Sequence, residues 1–216
     1  MDLRGVSFID TYNGIAVGGQ LPNPADPIGV IVKTIDGGIN WTPMYSPSTC
    51  YLGIYFVNEN IGWVTGIWGK ILKTTDGGIT WIGQASGTTS SLTAVNFLDE
   101  NNGFISTAGS QILKTTNSGN VWMIQPSGIG RPLLGIHFAN SNNGIAVGEI
   151  GAIAITSVGG INWSIKSNGF TKSLKSVSFT DENIGTAVGG DYAYDGQIFR
   201  TTNGGLNWYS QLSGVA

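Results

Sequence analysis

The oxygen-bearing side chains that this sequence places with regularity are Asp36, Asp76, Asn117 and Asn203, each directly ahead of Gly-Gly or Ser-Gly. Carboxylates in loops are the raw material of calcium sites. Here two of the copies carry Asn and a further copy carries Val158, so the charge is dispensable. A short acceptor before glycine can lock a tight turn through backbone N–H groups, and these residues are read as turn locks that need no ion. No metal site and no cofactor is expected. The sole histidine, His137, alternates with apolar neighbours in Leu134-Gly-Ile-His-Phe138 and has neither a second histidine nor a nearby cysteine. It reads as a packed or hydrogen-bonded strand residue rather than a ligand or base. Cys50 is the only cysteine, which excludes an internal disulfide, leaves the redox compartment open and points to passive packing.

The elements that hold these residues follow from a repeat. Trp41, Trp81, Trp122, Trp163 and Trp208 stand at the same place in five copies of one phrase, 40, 41, 41 and 45 residues apart. The phrase is spelled Lys33-Thr-Ile-Asp-Gly-Gly-Ile-Asn-Trp41 in the first copy and Ile155-Thr-Ser-Val-Gly-Gly-Ile-Asn-Trp163 in the fourth, which has lost the acidic position. A second landmark is a phenylalanine with glycine six residues on: Phe8/Gly14, Phe56/Gly62, Phe97/Gly103, Phe138/Gly144 and Phe179/Gly185. Hydrophobic alternation in the fifth copy predicts strands beginning at Leu174, over Gly185–Gly189, over Gln197–Thr202 and over Leu206–Ser210. Four strands in meander order at this period make a propeller blade. The expected fold is all-β: a β-propeller of five four-stranded antiparallel blades in one domain, residues 1–216, with repeats at 1–48, 49–89, 90–131, 132–171 and 172–216. A ring closed through a non-covalent seam between the last and first blades is expected. The alternative is an excerpt of a larger propeller, because Ser213–Ala216 followed by Met1–Val6 would spell an inter-blade linker like Ser86–Val95.

The box Thr74-Thr-Asp76-Gly-Gly78-Ile-Thr80-Trp81 resembles the Asp-box, or BNR repeat, of sialidases, some glycoside hydrolases, sortilin-type receptors and the Ycf48-like photosystem II assembly factors. The longer phrase, with its glycine-rich second strand and Ile-Leu-Lys-Thr-Thr, is most similar to the Ycf48-like group and its bacterial secreted relatives. The resemblance covers all five repeats and implies a box at the blade periphery, between third and fourth strands. It also implies an extracytoplasmic or secreted setting, although no leader is visible ahead of the first repeat. Asp36, Asp76, Asn117, Asn203 and the five tryptophans are therefore structural positions.

Function is expected where the repeats stop agreeing. From each Phe to its Trp the count is 33, 25, 25, 25 and 29, so the first and fifth copies carry insertions, Gln20–Pro27 and Asp191–Asp195. Both fall between second and third strands, at the end of the blade opposite the boxes. Trp68 and Glu149 occupy the same loop in other repeats, and Tyr45 and Arg131 sit in linkers at that end. Trp68, Tyr192 and Tyr194 would be stacking platforms and Asp191, Asp195, Glu149 and Arg131 polar contacts, or these residues are ordinary loop decoration.

A net charge of −3 with 10 scattered basic residues gives no footprint for nucleic acid or an anionic membrane, and no apolar run is long enough to span a bilayer. The reading is a non-catalytic binding or assembly module for a protein or glycan ligand, monomeric if the ring closes and self-associating otherwise. A sialidase-like glycoside hydrolase is the alternative, and it would require opposed carboxylates or an arginine cluster. The three arginines argue against it: Arg200 occupies the place of Lys33, Lys73 and Lys114, Arg4 a variable position, and Arg131 a linker. A third reading is a structural fragment of a longer repeat array.

Overall fold

The computed structural model describes residues 1–20, 28–45, 49–166, 169–191 and 195–211. Its strands form five four-stranded sheets, each a meander in chain order. The first blade holds β1 (Asp2–Phe8), β2 (Gly14–Gln20), β3 (Ile28–Thr34) and β4 (Thr42–Tyr45). The second holds β5 (Tyr51–Phe56), β6 (Gly62–Gly66), β7 (Lys70–Thr74) and β8 (Ile82–Ala85). The third holds β9 (Leu92–Phe97), β10 (Gly103–Thr107), β11 (Gln111–Thr115) and β12 (Met123–Pro126). The fourth holds β13 (Leu133–Phe138), β14 (Gly144–Gly148), β15 (Ile153–Thr156) and β16 (Ser164–Ile165). The fifth holds β17 (Leu174–Phe179), β18 (Gly185–Gly189), β19 (Gln197–Thr201) and β20 (Tyr209–Gln211). The fold is a five-blade β-propeller. Two compact units divide the chain, one of Met1–Gly103 with Thr115–Trp122 and one of Phe104–Lys114 with Met123–Ala216.

The two sequence landmarks meet in space. In every blade the phenylalanine ring stands edge-on to the blade's tryptophan, with centroids 5.8–6.2 Å apart, from Phe8–Trp41 to Phe179–Trp208. T-shaped pairs of this kind add to the gain from burial alone. The glycine six residues after the phenylalanine lies under the same ring: a Cβ on Gly103 would approach Phe97 to 2.4 Å, and one on Gly144 would approach Phe138 to 2.5 Å. The Phe–Gly spacing is thus a packing requirement, and the tryptophan closes the other side of the ring.

The box turn is built as the sequence implies, with one change of boundary. Asp36 accepts from the Thr34 hydroxyl at 2.7 Å and the Asn40 N–H at 2.9 Å, and Asn203 accepts from the Asn207 N–H at 2.9 Å. These bonds hold the chain in the turn through the residue before the tryptophan. The last strand of the fifth blade therefore starts at Tyr209, not at Leu206 as the alternation predicts.

The core lies between successive blades. In the first unit Ile15, Val17 and Ile31 pack with Tyr51, Ile54 and Phe56, and in the second Ile145, Val147 and Ile153 pack with Leu174, Val177 and Phe199. Cys50 is fully buried. Blade 1 departs from this pattern. Leu3 and Val6 are 57% and 58% exposed, whereas their counterparts Tyr51, Leu92, Leu133 and Leu174 are at most 1% exposed and Ile54, Val95, Ile136 and Val177 at most 8%. Val188 in blade 5 is 40% exposed where Val17 and Val147 are buried.

Candidate functional site

The loops singled out by insertion lie at the C-terminal ends of the second strands. Trp68 sits in the tight turn between β6 and β7, 54% exposed, with φ 56° and ψ 35°. Ile150 holds the same place after β14 with φ 53°. Left-handed backbone is costly for bulky and β-branched residues. Glu149 is exposed at the start of that turn, and its N–H donates to the Pro132 carbonyl at 3.0 Å, which brings its loop against the linker carrying exposed Arg131. Asp191 accepts from the Ser173 N–H at 3.0 Å, and Asp195 pairs with Lys172 at 3.1 Å. Bonds from Ser173 hold the Asp191 carboxyl below its usual range. The two aspartates of the fifth insertion are thus drawn toward the linker that precedes their own blade. Tyr45 ends β4, its backbone paired with Ile31. Tyr192, Tyr194 and most of the first insertion lie outside the described residues, so the stacking platform expected of Trp68 with the two tyrosines stays an expectation.

A different feature occupies the opposite, box-bearing end. Across its first three strands each of the first four blades sets a row of side chains facing the next blade's box. The row is Ser7, Ile15, Lys33 in the first blade; Tyr55, Trp63, Lys73 in the second; and His137, Ile145, Ile155 in the fourth. The lysines act as stitches. Lys33 donates to the Gly77 carbonyl at 3.0 Å, Lys73 to the Ser118 hydroxyl, and Lys114 to the Gly159 carbonyl at 2.7 Å. Aromatic bulk supports two of them: Lys73 lies over the Trp63 ring and Lys114 over Phe104, and these rings stack on Phe97 and Phe138.

In the fourth blade both lysine and aromatic are replaced by isoleucine; the cavity between blades 4 and 5 is about 240 Å³, as large as the cleft that Lys33 lines between blades 1 and 2. Ile145 and Ile155 floor it, His137 and Phe179 form a wall, and Leu206, Glu182 and the backbone of Gly204 form its rim. His137 lies flat against Phe179 with centroids 6.0 Å apart, and burial lowers its pKa, so it is neutral at neutral pH. It is packed, as its strand setting implies, and it also lines a cavity. The sequence signal was Ile155 in the place of a lysine, which marks the fourth copy beside the loss of its acidic residue. Among the described residues no group of three or more His, Cys, Asp or Glu side chains could hold a metal ion.

Fold and repeat together define a β-propeller of BNR repeats. Within that class, residues 39–127 are similar to the family model described as photosynthesis system II assembly factor YCF48. A solved structure of YCF48 bound to D1 peptide is similar at 18% identity and TM-score 0.67, over 99% of this chain and 82% of that one. YCF48 from Cyanidioschyzon merolae is similar at 16% identity and TM-score 0.64, over 99% and 86%. The Niastella koreensis GH74 enzyme shares the fold at 15% identity and TM-score 0.77, over 98% of this chain and 38% of its own. No curated protein matches the chain.

Proposed function

We propose that the chain is a non-catalytic assembly module that binds a protein partner. The observation that carries this reading is the match of residues 39–127 to the YCF48 family, whose solved relative holds a D1 peptide. The carboxylates support it. Asp36 and Asp76 of the boxes, which are of the Asp-box kind, and Asp10, Asp99 and Asp181 of the first hairpins all spend their oxygens on nearby backbone or side-chain donors. A carboxylate so engaged is a turn lock and a poor acid or base. The proposed contact surface is the end bearing Trp68, Glu149, Arg131, Asp191 and Asp195, together with Tyr45, Tyr192 and Tyr194.

A peptide array that includes the D1 peptide, run beside a glycan array, tests the reading. Peptide binding that falls at least about tenfold, a change of about 1.4 kcal/mol, in a Trp68→Ala/Tyr192→Ala/Tyr194→Ala variant is the expected result. Silence on the peptide array with binding on the glycan array would replace the protein partner by a carbohydrate. The likeness to GH74 enzymes makes turnover of xyloglucan and of fluorogenic sialidase and glucosidase substrates the matching control, and steady turnover would overturn the non-catalytic reading. The exposed Leu3, Val6 and Val188 favour self-association over a monomer, because a solvent-facing apolar blade face is an association surface. Light scattering with native mass measurement checks this, a monomeric mass at micromolar concentration being the contrary result.

A further inference from the structure

The cavity between blades 4 and 5 is the repeat's lysine stitch with the lysine removed. At the first junction Lys33 meets the Gly77 carbonyl in a cleft that Glu59 lines. At the second the charge of Glu100 acts on the Lys73 ammonium and favours its protonated form, against the effect of burial. At the fourth junction the acceptors are in place: Gly204 aligns with Gly77, and Glu182 aligns with Glu59 and Glu100. Among the described residues no lysine or arginine lines the cavity, residue 155 being isoleucine. Glu182 receives, among the described residues, a single long contact, 3.4 Å from the Asn140 amide.

We propose that this cavity receives the lysine side chain of a partner protein, its stem laid on Ile145, Ile155 and Phe179 and its ammonium donating to the Gly204 carbonyl and the Glu182 carboxylate. The assignment rests on the protein-binding reading and adds a second point of contact, at the end of the blades opposite the Trp68 and Glu149 loops. The occupant's form follows from the first and third junctions, where a four-carbon stem ending in an ammonium reaches the aligned carbonyl from the floor of the cleft. Here the floor is apolar and shorter, so the stem enters from outside. Nothing in the lining repels a cation, because it holds no lysine or arginine and His137 is neutral. The cavity lies at the start of β14, while the Glu149 loop lies at its end, so a partner seated here contacts the box-bearing end of the blades.

His137 is the only histidine, so its imidazole signal reports the cavity without overlap in an NMR titration. The probes are Nα-acetyl-lysine methylamide and the norleucine analogue, which keeps the stem and lacks the ammonium. Saturable millimolar binding of the lysine probe is expected, at least about tenfold weaker for norleucine and for Glu182→Gln, in the range usual for a lost charge-assisted bond. It is expected to vanish in Ile155→Lys, which restores the stitch and should fold, since three junctions already carry that lysine. Equal binding of norleucine, undiminished binding by Ile155→Lys, or no saturation by about 100 mM, weaker than any useful contact, would each overturn the assignment. Peptide-array binding by a chain that ignores the lysine probe removes the cavity and leaves the protein-binding reading standing. The reverse pattern removes that reading and leaves the cavity.

Discussion

The junction of blades 1 and 2 and the junction of blades 4 and 5 are built from one phrase and end in opposite conditions. Both set a strand-two isoleucine, Ile15 or Ile145, behind a box glycine, and both place a glutamate at the rim. At the first a lysine crosses to the neighbouring turn, and Phe56 is 9% exposed. At the second an isoleucine stops short, Phe179 is half-buried, and space is left beside it. One residue in nine of the box phrase converts a cleft that holds its own lysine into a cleft of equal volume with an apolar floor. A repeat array can therefore acquire a site by omission, keeping its acceptors while losing the donor that served them.

The comparison is tested most strongly by removing the ring on each side. Phe56→Ala is expected to cost about 3–4 kcal/mol and Phe179→Ala about 1–2 kcal/mol less, because part of the space around Phe179 is already empty. Urea denaturation measures both, and equal losses would mean that the two junctions are packed alike. A smaller effect is expected of Lys33→Ile, which copies the fourth blade into the first: about 1–2 kcal/mol, from a carbonyl deprived of its charged donor. Ile155→Lys should raise stability by less than about 1 kcal/mol in the same assay, the gain of one added hydrogen bond offset by ordering a long side chain. A loss of stability there would mean that the cavity cannot hold a lysine.

Acid separates the junctions without any substitution. The Asp36 carboxyl is held down to about 2 by the Asn40 backbone and side chain and the Thr34 hydroxyl, and Asp76 to about 2 chiefly by Thr80. A carboxyl whose folded pKa is depressed adds stability above its ordinary value near 3.8, and that contribution is lost as pH falls through 3.8 toward 2. The boxes of the last three blades carry Asn117, Val158 and Asn203 and have no such dependence. Amide exchange at Asn40 and Thr80 should therefore quicken between pH 4 and 2, about the span of the two pKa values, relative to Val121 and Asn207. Parallel acceleration at all four would mean that the box carboxylates add nothing of their own.

The blades were legible in the sequence because every landmark is local or repeats at a fixed interval. Tryptophan spacing, strand alternation and the Asx-Gly turn each need only a stretch of the chain. What the spacing of Phe and Gly expresses, a ring resting on a bare Cα, required coordinates, since the partners belong to adjacent strands. β20 starts later than the alternation implies because Leu206 satisfies the pattern of a strand while the Asn203 side chain holds the backbone in a turn. The cavity was out of reach for a related reason. Lys33 and Gly77 are 44 residues apart, and a missing lysine has meaning only once it is known what the others touch. Its trace, Ile155 in a lysine's place, was nevertheless on the surface of the alignment of repeats.

The stitches also set how the array would come apart under tension. Each lysine ties a strand of one blade to the turn of the next, so a pull on the chain is shared between neighbours wherever a stitch exists. The fifth blade has none behind it. Drawn from its C-terminal end in a force experiment, it should peel away first and at lower force than its neighbours, so that a load reaches the remaining blades only after one has been shed.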